Sequence, residues 1–145
     1  MSKLPYVETF RELLVYQKAR ALSREIFQIT KKFPREEAYS LTDQIRRSSR
    51  AIGAQIAEAW AKRLYEKHFL SKLTDADGEQ QETQHWIETA LDCEYLTPVQ
   101  QISLIQKCEE IGRLLGGMMA KSELFCTPQK SLREEAALYF TESLD

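Results

Sequence analysis

Four stretches of this sequence place apolar residues at alternating three- and four-residue steps, the spacing by which a helix presents one stripe to a core. In the first, Val15, Ala19, Leu22, Ile26, Ile29 and Phe33 follow that rhythm, and Pro34 stops it by lacking an amide hydrogen and restricting Phe33. The second is expected over residues 36–64, with Leu41, Ile45, Ser48/Ser49, Ile52, Ile56, Ala59 and Arg63 on its stripe. Its middle is unusually small (Ser48, Ser49, Ala51, Gly53, Ala54, Ala57), which lets helix axes approach closely. Gly53 costs about 1 kcal/mol of helix propensity relative to Ala, so it implies either close packing or a kink. The third is expected over residues 66–94, with Phe69, Leu73, Ala76, Gln80, Thr83 and Ile87 on one face. Gln80 and Thr83 are polar where apolar residues belong, so they are hydrogen-bonded inside or meet water or a partner. Thr97-Pro98 reads as an N-cap with proline at the first helical position, opening a fourth helix to about residue 124 through Ile105, Cys108, Gly112, Leu115 and Met119.

Rods of 20–29 residues are about 30–45 Å long, and the joins at 33–36, 64–66 and 95–98 are short. Short joins force antiparallel neighbours, so the expected fold is all-α, an up-down-up-down four-helix bundle. The expected division is a bundle over residues 1–126 and an acidic C-terminal tail over 127–145. Leu132, Ala136 and Tyr139/Phe140 would make a short helix of that tail. Five glycines and four prolines are too few for the turns of an all-β chain.

No stretch approaches the roughly 18 apolar residues of a membrane span, and Met1-Ser2-Lys3-Leu4-Pro5 lacks the apolar run of a secretory signal. Cys93, Cys108 and Cys126 are odd in number and without metal-like spacing, as in a reduced compartment. The expected location is the cytoplasm, with no membrane partner. Asp75-Ala76-Asp77-Gly78-Glu79 fails as a calcium loop, because its Gly comes too early and no Glu closes it at the twelfth position. His68 and His85 have no partner at ligand spacing, and no phosphate loop or nucleophile–base pair stands out. No catalytic residue, metal or cofactor is expected.

Charge carries the best polar signal. The net charge of −2 hides 14 Lys+Arg against 8 Asp+Glu in residues 1–68, and 6 against 14 in residues 69–145. Such a split fits an anionic partner, a complementary neighbouring subunit, or two solvated faces that differ in sign. Arg46, Arg47 and Arg50 lie within about one turn, with Lys62, Arg63 and Lys67 further along. Arg46 and Arg50 repel unless something negative lies alongside. The candidates are nucleic-acid phosphates, or Asp43, Glu58 and third-helix acids within the protein or assembly. Tyr6, Phe10, Tyr16, Trp60 and Tyr65 interleave with these charges, either to stack on bases or to serve core and interface.

Several ordered motifs carry a family resemblance. Phe10-Arg11-Glu12-Leu13-Leu14-Val15-Tyr16-Gln17-Lys18-Ala19 resembles the first helix of the S23, or 23S rRNA intervening-sequence, protein family, and Phe33–Leu41 resembles its first turn. Leu41-Thr42-Asp43-Gln44-Ile45-Arg46-Arg47, then Ile52 and Gln55-Ile56-Ala57-Glu58, is similar to that family's signature. The stretch with Glu82-Thr83-Gln84, Trp86, Ala90 and Cys93-Glu94-Tyr95-Leu96 is similar to one branch of it. The resemblance spans residues 10–124. The chain departs where the family usually reads Pro, Asn and Gly, at Gly53, Gln55 and Ala59.

The resemblance implies a four-helix bundle assembled as a homopentameric ring, without an enzyme activity. Some members are encoded within intervening sequences of bacterial 23S rRNA genes. Similar accessory proteins of diversity-generating retroelements bind nucleic acid and a reverse transcriptase. The expectation is a non-enzymatic oligomer binding RNA or a nucleoprotein through Arg46, Arg47, Arg50, Lys62, Arg63 and Lys67. The alternative is a protein–protein scaffold. Its interface residues would be Trp60, Trp86, Tyr65 and Glu58.

Overall fold

The first three apolar stripes become buried helix edges, whereas on the fourth helix Leu104 and Ile111 are buried beside Cys108 and Leu115, and the expected Ile105, Gly112 and Met119 are only partly covered. The computed structural model describes residues 7–126, which form four α-helices and three 3-10 turns and contain no strand. The expected tail, and Tyr6 with it, lie outside the described residues. Helix α1 (Leu14–Thr30) buries Val15, Ala19, Leu22, Ile26 and Thr30. Helix α2 (Leu41–Ala61) buries Ile45, Ser48, Ser49, Ile52, Gly53, Ile56 and Ala59. Helix α3 (Glu66–Asp92) buries Phe69, Leu73, Ala76, Gln80, Thr83, Ile87 and Ala90. Helix α4 (Pro98–Ala120) buries Leu104, Cys108, Ile111 and Leu115. Removing each large side chain from water contributes about 1.5–3 kcal/mol, and these stripes meet in one core cluster.

The helix ends differ from the sequence expectation for local reasons. Pro34 caps a tight 3-10 turn at Arg35–Glu37, so α2 begins only at Leu41, where its apolar stripe begins. Helix α3 stops at Asp92 because Glu94 turns left-handed, with φ 62°. The Tyr95 amide then donates to the Ala90 carbonyl and the Glu94 amide to that of Leu91, satisfying two orphan acceptors. Helix α4 opens on a full capping box, Thr97 with Gln100, and keeps Gly116 and Gly117 helical before ending at Ala120.

Helix α2 makes its most extensive contact with α3. Helix α1 packs on α2, α4 on α3, and α4 also meets α1. Between α2 and α3, the hydroxyls of Ser48 and Thr83 share a 2.9 Å hydrogen bond and Glu58 pairs with Lys72 at 2.8 Å. Thr74 touches Met119 across α3 and α4. Lys18 meets Glu110, and Glu25 meets Lys107, across α1 and α4. Those two pairs are substantially exposed and contribute at most about 1 kcal/mol each.

The polar residues of α3 face inward. Thr83 is fully buried between Ser48 and its own Glu79 carbonyl. The buried Gln80 amide donates to Asp77 at 2.9 Å and accepts from Gln84 at 2.8 Å. A methyl group at Gly112 would come within 2.9 Å of the Gln80 nitrogen. One at Gly53 would meet only the Tyr16 ring, at 3.5 Å, an ordinary contact.

Gly53→Ala therefore raises the thermal midpoint, by up to about 1 kcal/mol of stability. Gly112→Ala gains less, because the end of the Gln80 side chain must shift away from the added methyl; calorimetry of both variants checks the order. Burial pushes the Cys108 thiol from its ordinary 9.0 up to about 12, so it stays protonated while folded. Because the folded value is the higher one, its contribution to stability is present below about pH 9 and fades as pH rises towards 12. At about pH 8 a thiol reagent should label the exposed Cys93 in native protein and reach Cys108 only on unfolding.

Candidate nucleic-acid interface

The six basic residues singled out in the sequence fall into separate places. Arg46 and Arg50 stand one turn apart on the edge of α2 that borders α1. Arg47 sits a further 100° around the helix from Arg46, exposed, and 3.9 Å from Asp43. Lys62 caps the end of α2, about 24 Å along the axis from Arg46. Arg63 lays its guanidinium 3.5 Å from the centre of the Trp60 ring and donates to the Trp60 carbonyl. Lys67 is exposed in the first turn of α3.

What holds Arg46 and Arg50 together is an aromatic ring. The Arg46 guanidinium lies 4.7 Å from the centre of Phe27, and that of Arg50 5.5 Å from it. Lys31 brings its ammonium to 4.9 Å of the same ring. Three cations thus share one aromatic ring, each attraction contributing about 0.5–1 kcal/mol at such sites. Arg46 is steered further by a 2.8 Å bond from Nε to the Thr30 hydroxyl, which itself contacts the Ile26 carbonyl. With Nε engaged, the terminal guanidinium nitrogens remain to meet an anion.

The acids weighed as partners sit elsewhere. Asp43 is near Arg47, and Glu58 is taken by Lys72. The Lys72 hydrogen bond and charge hold the Glu58 carboxyl below its usual range, and Glu58 in turn raises the lysine. On α3, burial and the nearby Glu82 and Asp75 push Glu79 upward.

Beside the Phe27 cluster, α1 and α2 separate into a cavity of about 250 Å³. Arg20 and Arg50 line it from the two helices, with Phe10, Tyr16, Gly53 and Ala54. Phe10 and Tyr16 meet edge to face at 4.9 Å, and Arg11 covers the Phe10 ring at 4.5 Å. No Asp or Glu is among the lining residues.

The interface candidates are equally dispersed. Trp60 is half-buried beneath Arg63, and Tyr65, 49% exposed, caps α3 beside His68. Trp86 follows Thr83 by one turn, level with the start of α2, and so far from Trp60. Its indole nitrogen is buried with no hydrogen-bond partner among the described residues. Glu58 is exposed and paired.

Sequence reasoning missed Arg20 and Phe27 on α1 and Lys31 at its C-terminal cap. For Arg20 and Phe27 the signal was present, since each follows a residue of the stripe (Ala19 and Ile26) by one position, whereas Lys31 follows Thr30, which the apolar stripe did not include.

Comparisons with known proteins agree with this architecture. The family model described as 23S rRNA-intervening sequence protein matches residues 11–117. No curated protein matches the chain. A crystal structure of a protein with unknown function from the S23 ribosomal protein family of Bacteroides thetaiotaomicron VPI-5482 is similar, with a TM-score of 0.69 and 30% identity. That match covers 74% of this chain and 96% of the other. The chain belongs to the 23S rRNA-intervening sequence protein family.

Proposed function

We propose that this protein is a non-enzymatic, oligomeric nucleic-acid-binding protein that holds the phosphate backbone of RNA, or of a nucleoprotein, on the α1–α2 face. The observation that carries this reading is the convergence of Lys31, Arg46 and Arg50 on Phe27, away from the carboxylates that were the rival partners. Like charges gathered on a ring are partly relieved by it, yet their hydrogen-bond donors stay available to phosphate oxygens. Arg20 and Arg11 extend the same positive face along α1. Arg47, Lys62, Arg63 and Lys67 serve as outlying contacts. The family name, with its reference to 23S rRNA, points the same way.

The subunit is read as an up-down-up-down bundle. Its support is the running register of the contacts: Ser48 with Thr83 and Glu58 with Lys72, or Lys18 with Glu110 and Glu25 with Lys107. In each pair of contacts one number rises as the other falls. The assembly is read as a homopentameric ring, following the family resemblance. Exposed apolar residues at both ends of the subunit, Leu14 and Leu64 at one and Val99 at the other, supply surface for neighbours. A ring would multiply a weak phosphate attraction by avidity. The two histidines lie against Tyr65 and Trp86, which fits packing better than acid–base work. The cytoplasm, where RNA resides, is the proposed location.

Light scattering of the full chain should give a mass several times 16.9 kDa; a monomer at micromolar concentration would sink the ring. Fluorescence anisotropy should detect RNA binding at low salt that weakens steeply with added KCl. Arg50→Gln should lower the salt slope by about 0.7–0.9 per site, while Arg47→Gln, whose charge already has Asp43, changes it less. Absence of binding at low salt, or indifference to Arg50→Gln combined with Lys31→Gln, counts against the phosphate reading.

A further inference from the structure

The α1–α2 cavity has features that phosphate binding does not require. Its α2 wall is built of small residues, the exposed Ala54 and the buried Gly53, over which the Tyr16 ring lies. Gly53 is not demanded by the backbone, since its φ is not positive. Nor is it demanded by packing, since a methyl there meets Tyr16 at an ordinary 3.5 Å. The absent side chain instead lets the Tyr16 ring lie close against α2 at one wall of the cavity. Beside that wall stand the Tyr16 and Phe10 rings, set edge to face, and at the rim stand Arg20 and Arg50.

Arg50 belongs to both places. It lines the cavity and it also reaches the Phe27 ring with Arg46 and Lys31. A ligand filling both is a flat apolar ring joined to an anion. At about 250 Å³ the cavity falls below the ~300–1,000 Å³ typical of sites for drug-sized ligands, so it suits one ring system.

We propose that this cavity receives an unstacked nucleobase while the adjoining phosphate sits on Arg50, Arg46 and Lys31, so that the protein selects single-stranded over duplex nucleic acid. This inference rests on the phosphate-binding reading above and adds the strandedness of the ligand. In a duplex the bases are stacked and paired, and their rings are not available to a side pocket. In a single strand each base offers a π-face to Tyr16 and an edge to the arginines.

The test uses the full chain and three fluorescein-labelled probes of equal length, about 12 nucleotides, a size that spans one protein site. They are an oligouridylate strand, the same strand with abasic riboses, and an RNA duplex. The uridylate should bind about tenfold more tightly than the abasic strand, and more tightly than the duplex at equal salt. Filling the cavity with Ala54→Leu and Ala57→Leu should bring uridylate down to the abasic level, with the salt slope retained and the helical circular dichroism unchanged. Equal binding of all three probes by the unaltered protein overturns the base pocket while leaving the phosphate site standing. No binding of any probe at low salt overturns both, so the two failures are distinguishable. The abasic comparison needs no variant, and a poorly folding double substitution therefore does not rescue the idea.

Discussion

The seam between α2 and α3 fixes the arrangement of everything else. Its middle combines close-packed small residues with two buried hydroxyls, Ser48 and Thr83, that complete each other. An apolar seam alone tolerates sliding by a turn, because one Leu or Ile fits much like the next. A one-turn slip here would break the Ser48–Thr83 hydrogen bond, worth about 0.5–1.5 kcal/mol, although each hydroxyl keeps a carbonyl partner on its own helix. Polar groups in an apolar setting thus add to the packing that sets the register. Once it is set, the opposite edge of α2 is committed to α1, with its small residues and arginines in fixed order along the groove.

The periodic stripes were enough to identify the helices, and for clear reasons. Val15, Ala19, Leu22 and Ile26, or Phe69, Leu73 and Ala76, are unambiguous because burial follows the 3.6-residue period. The N-cap at Thr97 with its following proline and the stop before Pro34 were legible too, since both rest on local chemistry. The start of α2 was not. Residues 35–40 have ordinary helix propensity, and only the geometry imposed by Pro34 diverts them into a 3-10 turn. The end of α3 was hidden as well, because the left-handed position is held by Glu94 where glycine would have announced it.

The candidate site was half legible. Clustering along the sequence singled out Arg46, Arg47 and Arg50 as one group, but helical geometry divides them: 46 and 50 share an edge and 47 does not. The ring that gathers the first two, Phe27, lies 19 residues from Arg46 and on another helix. No spacing rule within one segment could find it. The sign of the neighbours was equally hidden, since Glu58 looked available to an arginine until Lys72 was seen to hold it. What sequence does record is the glycine at 53, a local cost to the helix that lies beside Tyr16 in the structure.

The three-cation cluster on Phe27 has a consequence for the mechanics of the fold. Lys31 belongs to the end of α1, whereas Arg46 and Arg50 belong to α2, so their mutual repulsion acts across the helix pair. A polyanion lying over them would turn that repulsion into a bridge. By mass action, whatever binds only the folded pair also stabilises it. The cargo and the scaffold are then coupled thermodynamically, and occupancy itself clamps the first helix to the second.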